Sequence, residues 1–402
     1  MNRIIFDERT IVKFLFYFFP VPFILGNLIV TLHLFIFIIF SLILITKNKF
    51  KIRIDRSCWL LIFFFSYLFL STTLQYQLPG IAFDVTESWD LKNKPFVKSF
   101  FLFRFLILIF ILDTLFFNKI LNLKKLLLIS AICTTFVSFD ILLQYFSGTD
   151  LFGFESFGSR NSGPFGDEFI AGGYLLKFSF LSFFYIFQFF KNEIYNKILL
   201  ALLIFGHATA ILLSGNRMPM ILFLFTSFIT FILLKNFRIS ITAGLILFVA
   251  AFFAIGNNDA AVKNPYLNFV NDINIIKHLK SKQFKTLSNE NNKNNNETET
   301  INENDNKILN SFFEKLLPHS GHGRLYSVAT TMWLDQPLFG FGLKSFRVRC
   351  HQYAPTAEEH LKMGILPYGC SSHPHNYYLE ILVEAGLLGG FLILFFYIIL
   401  IK

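Results

Sequence analysis

The sequence contains three short polar motifs whose residue types suit the binding of an anionic substrate. The first, residues 214–219, has the sequence SGNRMP and separates two long apolar runs. Arg217 therefore lies at the edge of an apolar run, where a guanidinium can bind a phosphate or pyrophosphate through two parallel hydrogen bonds. The alternative is an interfacial arginine that reaches toward lipid headgroups and takes no part in chemistry.

The second motif is GHGRLY, residues 321–326, and it opens an apolar-periodic stretch that ends before Pro337. This pattern predicts a helix that starts near Arg324. A cation at a helix N-terminus gains nothing from the helix dipole, so a bound anion would explain why Arg324 stands there. The alternative is a helix that lies on the membrane surface with Arg324 in solvent.

The third motif is SHPHNYYLE, residues 372–380, and it directly precedes the last apolar run. It places His375 at the start of a helix, with Glu380 and Glu384 following on one helical face. Histidine titrates near neutrality, which suits a general base for a sugar hydroxyl or a ligand for phosphate. A structural histidine is the alternative, and the two glutamates could instead be partners of arginines.

Membrane helices are the elements that must position these motifs. Of 402 residues, 54% are hydrophobic, only 15% are charged and 57 are phenylalanine, which excludes an ordinary soluble domain. The apolar runs have the length of about twenty residues that crosses a bilayer. We therefore predict an all-α integral membrane protein, a polytopic helical bundle of about ten spans. The predicted spans are residues 10–25, 27–46, 58–76, 96–117, 126–147, 169–190, 197–213, 218–234, 239–256 and 376–401.

The net charge of +10 indicates membrane topology and not nucleic-acid binding, because the Lys and Arg residues lie in short loops between apolar runs. The positive-inside rule assigns these loops, and both termini, to the cytoplasmic side. The three polar motifs then face the opposite side, which is the periplasm if the membrane is a bacterial inner membrane. The basic loops are residues 47–56, 119–125, 191–197 and 235–238.

The spans divide the chain into three parts. Residues 1–256 form a transmembrane bundle, residues 257–375 a long periplasmic loop, and residues 376–402 a final transmembrane helix. Within the loop, residues 288–306 have the sequence SNENNKNNNETETINENDN, which offers almost nothing to bury. This segment is predicted to be a disordered Asn-rich insertion.

Cys350 and Cys370 both fall in the long loop, where an oxidising periplasm would permit a disulfide. Two unpaired thiols are the alternative, since the sequence gives no geometry. No C-x-x-C spacing indicates a metal site, and we expect neither a metal nor a cofactor. Arg104 lies inside a predicted span, where a charged side chain is paired or lines a wet cavity.

Taken together and in this order, the motifs resemble the signature of the O-antigen ligase and polymerase superfamily. GRLYSVATTMWLDQPLFGFGLKSF followed by SHPHNYYLEILVEAGLLGG is similar to the segments that carry the family's outer-loop arginine and precede its last spans. SGNRMPMI resembles the family's short turn with Ser and Arg, and RNSGPFGDEFIAGGYL, which contains Arg160, resembles another recurring segment. Many members continue through one or two more spans, whereas this chain stops at Lys402.

The resemblance implies a membrane glycosyltransferase that takes a glycan from undecaprenyl pyrophosphate and attaches it to a lipid A-core or related acceptor, with membrane lipids as surroundings and no nucleic-acid partner. By matching position, Arg217 and Arg324 would bind the donor pyrophosphate, and His375 would assist the acceptor or the leaving group. These three residues are the predicted catalytic set. The predicted substrate-binding set is Arg160, Arg104, Tyr326, Asn376 and Glu380.

Three other functions stay open from the sequence. An O-antigen polymerase would use a second lipid-linked glycan as acceptor, and a protein O-oligosaccharyltransferase would use a Ser or Thr side chain. A polytopic transporter or flippase is a more remote alternative, because its polar residues would be expected at the membrane midplane, and not on one face and in one long loop.

Overall fold

The computed structural model of the chain describes residues 7–52, 56–77, 89–158, 160–189, 192–260, 262–264, 321–354 and 370–401. The described residues form no β-strand, which confirms an all-α fold. Most of the predicted loop 257–375, with the whole Asn-rich segment 288–306, lies outside them. The helices are α1 (Glu8–Tyr17), α2 (Pro22–Leu25), α3 (Asn27–Lys47), α4 (Arg56–Gln77), α5 (Trp89–Phe117), α6 (Leu123–Ser147), α7 (Ala171–Phe189), α8 (Glu193–Leu213), α9 (Arg217–Leu233), α10 (Arg238–Asn258), α11 (Gly321–Asp335), α12 (Ser345–Tyr353) and α13 (Tyr377–Ile401).

Seven of the described helices are long and apolar enough to cross a membrane, which confirms a polytopic helical membrane protein. They are α3, α4, α5, α6, α8, α10 and α13. α9 is an apolar helix of only 17 residues, and α7 has 19 residues but includes Lys177 among its polar positions. By length and composition, therefore, seven described helices qualify as spans instead of the ten predicted.

The predicted first span, residues 10–25, is wrong as one continuous helix, because α1 and α2 replace it. The chain turns between them because Pro20 and Pro22 lack a backbone N–H and their rings clash with the preceding helical turn. α1 has 10 residues. Its length of about 15 Å is about half the hydrocarbon thickness. Glu8 and Lys47 still form an ion pair at 2.9 Å, so α1 begins beside the end of α3.

The chain divides into two compact units, of which the first comprises Met1–Phe50 and Leu115–Phe284. α8 is its central helix and packs against α6, α7, α9 and α10. Leu200 of α8 is fully enclosed, and Gly244 of α10 comes so close to α8 that a Cβ atom there would be 2.8 Å from the Ala201 carbonyl oxygen. Small residues allow membrane helices to pack at this distance.

The second compact unit comprises Lys51–Thr114 and Lys285–Lys402, and its described helices are α4, most of α5, α11, α12 and α13. α4 packs along α13, and the Phe69 ring of α4 lies against the rings of Phe96 and Phe103 of α5. Pairs of aromatic rings at such distances pack favourably edge to face. The abundant phenylalanine of the sequence therefore serves packing between helices here.

A small apolar cluster joins α11, α12 and α13 within the second unit. A disulfide between Cys350 and Cys370, whose Cα atoms are 5.5 Å apart, fastens the end of α12 to the segment before α13. Of the two possibilities that the sequence left open, a disulfide and two unpaired thiols, the structure has the disulfide. The buried members of the cluster are Leu325, Val328, Ala329, Met332, Phe341, Phe346, Cys350 and Val383.

Candidate functional site

The last helix of the second unit, α13, is interrupted at Gly386, whose backbone (φ 61°, ψ −167°) is not helical. A break of this kind frees backbone groups that need partners in an apolar environment. Residues 336–344, which we call the bridging loop, supply partners on both sides of the break. The hydrogen bonds run from Phe341 N–H to the Val383 carbonyl (2.8 Å), from Gly342 N–H to Glu384 (3.0 Å), from Leu387 N–H to Pro337 (2.8 Å) and from Leu388 N–H to Leu338 (3.2 Å).

Glycines make this close approach possible. A Cβ atom on Gly340 would be 2.7 Å from backbone atoms of α13, and a Cβ atom on Gly342 would be 2.8 Å from the Cα atom of Thr72. Both glycines, like Gly386, also have positive φ angles, which side-chain-bearing residues adopt at a cost. The sequence PLFGFG is thus required by backbone packing at the break.

α4 holds the bridging loop from a second direction. The Tyr67 hydroxyl lies 2.6 Å from the Phe339 carbonyl oxygen and 2.9 Å from that of Ala385, so one side chain binds both the loop and the broken helix. The Thr72 hydroxyl accepts a hydrogen bond from the Leu343 N–H at 2.9 Å. The loop is therefore fixed by side chains as well as by backbone.

Lys344 ends the bridging loop in a left-handed conformation (φ 61°) and contacts two glutamates of α13. Its backbone N–H donates to the buried Glu384 carboxylate at 2.7 Å, and its ammonium forms an ion pair with Glu380 at 3.0 Å. The partner that the structure gives Glu380 is thus a lysine and not the arginine considered from sequence. The Glu380 carboxylate keeps its second oxygen for other contacts, and its role in substrate binding stays a prediction.

His375 and Asn376 form the entry to α13. His375 is exposed, has a left-handed backbone (φ 54°), and its ring lies 4.2 Å from that of His373. Asn376 caps the helix, because its side-chain oxygen accepts hydrogen bonds from the N–H groups of Tyr378 (3.0 Å) and Leu379 (3.2 Å). The sequence prediction that His375 stands at the start of this helix is confirmed.

Arg324 and Tyr326 lie in the first turns of α11, which packs against α13. Both side chains are partly buried, and Tyr326 packs on the apolar cluster together with Leu379 of α13. The predicted helix after Arg324 is confirmed, although it begins slightly earlier, at Gly321. The structure thus brings Arg324 and Tyr326 to elements that directly contact the helix following His375.

Arg349 of α12 is a buried cation that the sequence analysis did not single out. Its guanidinium lies 4.7 Å from the Phe341 ring centre and 5.9 Å from that of Tyr76, and it donates to the Gln75 side chain at 3.4 Å. Burial lowers the pKa of Arg349 from its ordinary value, but an arginine stays charged at physiological pH. Nothing in the run SFRVRC distinguishes Arg349 from the exposed Arg347, so sequence offered no signal.

In the first unit, Arg160 and Arg217 lie at the same end of the bundle. Arg217 is the exposed first residue of α9, immediately after the turn that follows α8. Arg160 stands in the loop between α6 and α7, with its guanidinium 5.2 Å from the Phe169 ring centre. The next residue, Asn161, donates from its side chain to the Leu213 carbonyl at 2.7 Å, which ties this loop to the last residue of α8.

Two buried polar residues of α6 shape that loop. The Asp140 carboxylate accepts the Leu151 N–H at 2.9 Å. The Gln144 amide donates to the Phe154 carbonyl at 3.1 Å, and its oxygen accepts the Gly163 N–H at 2.8 Å. Both side chains satisfy backbone groups of a loop that would otherwise carry unpaired polar atoms. Asp140 and Gln144 are four residues apart and so lie on one face of the helix, a pattern that could have predicted from sequence that they act together.

Arg104 lies in α5, in the second unit, with its guanidinium 4.8 Å from the Phe105 ring centre. Its role in substrate binding stays a prediction. Among the described residues, no group of three His, Cys, Asp or Glu side chains could hold a metal ion.

Seven of the eight predicted residues, all except Arg104, therefore lie at two places, one in each unit. α11 and the entry to α13 carry Arg324, Tyr326, His375, Asn376 and Glu380, and the end of α8 with the neighbouring loop carries Arg160 and Arg217. Basic groups at both places suit an anion such as a phosphate.

Comparison with protein families gives one match, to the family described as O-antigen ligase, over residues 199–394. The match covers just under half of the chain and runs from within α8 into α13. It contains Arg217, Arg324 and His375, as well as the bridging loop and Gly386. Comparison with curated proteins and with solved structures gives no match.

Proposed function

We propose that the chain, which matches the O-antigen ligase family over residues 199–394, transfers a glycan from undecaprenyl pyrophosphate to a lipid A-core or related acceptor. The superfamily consists of membrane glycosyltransferases that act on lipid-linked glycans, and the apolar helices of this chain agree with an enzyme embedded in a bilayer. We propose the identity of the donor, the identity of the acceptor and a periplasmic location of the site together.

The observation that carries the proposal is the placement of the three predicted catalytic residues. Arg217 opens α9, Arg324 lies in the first turn of α11, and His375 lies two residues before α13. The N-terminus of a helix carries a partial positive charge, so a basic side chain there is unfavourable unless an anion binds. A pyrophosphate supplies such an anion, because helix N-termini and arginines bind its oxygens through the same kind of hydrogen bond.

The proposed reaction is a single displacement at the anomeric carbon of the donor sugar. The acceptor hydroxyl oxygen forms the new bond to that carbon, and its proton passes to His375. The bond between the carbon and the pyrophosphate oxygen breaks, and undecaprenyl pyrophosphate leaves with the electron pair. Arg217 and Arg324 stabilise the negative charge that develops on the leaving group.

The surroundings of His375 suit this role. The side chain is exposed, the Asn376 cap fixes the start of the following helix, and the disulfide at Cys370 restrains the preceding segment. A base on a restrained backbone needs less reorganisation to reach a reacting hydroxyl. The disulfide also agrees with an oxidising compartment, and so with a site on the periplasmic side of a bacterial inner membrane.

Complementation tests the proposal. Wild type, Arg217→Ala, Arg324→Ala and His375→Ala are expressed in a ligase-null bacterium with compatible glycans, and lipopolysaccharide ladders are compared at equal membrane levels of protein. Arg9→Ala and Arg347→Ala are matched controls, because both remove an exposed arginine outside the predicted site. We expect capped lipopolysaccharide from wild type and both controls, and none from the other three variants.

Other results would replace the proposal. Chain lengthening of lipid-linked glycan in a polymerase-null strain would indicate an O-antigen polymerase. Glycan attached to protein would indicate a protein O-oligosaccharyltransferase. Capping by His375→Ala at the wild-type level would contradict the role of His375 as the base.

A further inference from the structure

A cavity of about 390 Å³ opens in the first unit at the ends of α7, α8 and α10. Its walls belong to the start of α8, whereas Arg217 follows the end of the same helix. Because α8 has 21 residues, the cavity and Arg217 are separated by about 30 Å along its axis. The cavity is therefore not part of the proposed glycan-transfer site. It is lined by Phe187, Glu193, Asn196, Lys197, Leu200, Lys235, Asn236, Ile239 and Ser240.

The charges on the cavity wall have a positive excess. Lys197 and Lys235 face one acidic side chain, Glu193, whose carboxylate lies 3.3 Å from the Lys197 ammonium. Among the described residues, no carboxylate lies within ion-pair distance of Lys235. One lysine charge at this cavity is thus left without a protein counter-charge in the described part of the chain.

Two helix N-termini add to this positive potential. α8 and α10 run parallel as the most closely packed pair of the unit, and both begin at the cavity. The first turn of α8 contains Glu193, but the first turn of α10 contains no acidic residue. Helix N-termini attract anions, and lysines placed beside them are unfavourable unless an anion is bound.

The cavity wall is held by internal hydrogen bonds. The Asn196 side chain donates to the Phe187 carbonyl at 3.1 Å, which joins α8 to the end of α7. The Ser240 hydroxyl donates to the Lys197 carbonyl at 3.1 Å, which joins α10 to α8. These two contacts fix the helices that carry the lysines and use neither ammonium group. The cavity is preformed, as ligand sites usually are.

The rim of the cavity is apolar and exposed. Ile239 is 65% exposed, and Ile194 and Tyr195 of α8, at the same helix end, are 66% and 68% exposed. Large apolar side chains beside lysines at the end of membrane helices are typical of the headgroup level of a bilayer. A ligand here would have its anionic group in the cavity and apolar chains along the rim.

We propose that this cavity binds the phosphate headgroup of an anionic membrane phospholipid, with Lys197 and Lys235 as the charged ligands and the starts of α8 and α10 as additional donors. Basic pockets between membrane helices on the cytoplasmic side bind such headgroups, and the positive-inside rule assigns the basic helix ends that form this cavity to that side. The site is independent of the glycan-transfer reaction proposed above.

Native mass spectrometry of the purified full-length protein in detergent tests the proposal. The protein is titrated separately with phosphatidylglycerol, phosphatidylcholine and glycerol phosphate, and bound adducts are counted. The variant is Lys197→Gln/Lys235→Gln. The matched control is Lys49→Gln/Lys119→Gln, which removes two exposed lysines from the predicted cytoplasmic side away from the cavity. Thermal unfolding checks that both variants are folded.

We expect one saturable phosphatidylglycerol site in wild type and in the control, with affinities equal within about twofold. The cavity variant should lose about 25-fold in affinity, since each of the two basic residues near an anionic headgroup contributes about fivefold. Equal binding of phosphatidylcholine, an unchanged cavity variant, or an equal loss in the control would overturn the proposal. Binding of glycerol phosphate as tight as that of the lipid would show a soluble phosphate site and overturn the assignment to a lipid.

Discussion

Replacing Gly340 by alanine should destabilise the second unit more than the φ angle alone can explain. The residue has φ +66°, and an added Cβ atom would lie 2.7 to 2.8 Å from three backbone atoms of residues 384–386. The left-handed conformation costs a side-chain-bearing residue about 1–2 kcal/mol. Overpacking against backbone, which cannot move aside like a flexible side chain, adds about 1–3 kcal/mol. The sum is about 2–5 kcal/mol.

Gly148→Ala is the matched control. Gly148 has φ +84°, but nothing lies within 4 Å of the position of an added Cβ atom, so its substitution brings the conformational cost without the clash. The difference between the two variants isolates the contact between the bridging loop and α13.

Thermal unfolding of the two variants in the same detergent measures this difference. We expect Gly340→Ala to have a Tm about 2–12 °C below that of Gly148→Ala, from the usual relation between free energy and Tm for units of this size. Equal Tm values would refute the close approach at residue 340. A Tm for Gly340→Ala equal to wild type would refute the backbone conformation as well.

Three further contacts can be tested by substitution. Reducing the Cys350–Cys370 disulfide should cost about 2–4 kcal/mol of stability, so dithiothreitol should lower the Tm of wild type but not of Cys350→Ser/Cys370→Ser. Asn376→Ala should lose the helix cap, about 1 kcal/mol, while Asn376→Asp, which keeps an acceptor oxygen, should retain the wild-type Tm. Gln144→Leu should release the loop after α6, with faster amide hydrogen exchange at Gly163, and unchanged exchange would contradict the Gln144 contacts.

Apolar run length predicted most helices within a few residues. Residues 27–46 were predicted where α3 spans Asn27–Lys47, because a bilayer-crossing helix needs a continuous apolar run and little else. The prediction of one helix over residues 10–25 was wrong because two prolines interrupt the backbone hydrogen bonds, whereas the run of apolar side chains continues past them. The break at Gly386 was not predicted, since it lies inside the single run of residues 376–401 that was assigned to one span.

Candidate site residues were predicted where a charged or titratable side chain lies next to an apolar run. Arg324 and His375 are of this kind, and the structure places them on elements that pack together. Lys344 and Arg349 were missed because their roles depend on contacts across the fold, Lys344 with Glu380 and Arg349 with the Phe341 ring. Contacts between residues that are far apart in sequence can be seen only in the folded structure.

Several residues in the motifs that resemble the O-antigen ligase family already make contacts within the fold of this chain. Gly340, Gly342 and Gly386 serve the backbone of the bridging loop and the broken helix, and the Glu384 carboxylate accepts a backbone N–H. These residues maintain the fold of the site, so their substitution should change stability and activity together. His375 differs, because it is exposed and placed at the helix entry. Its substitution should remove glycan transfer with a smaller loss of Tm than substitution of the glycines, which separates a reacting residue from a structural one within the same motif.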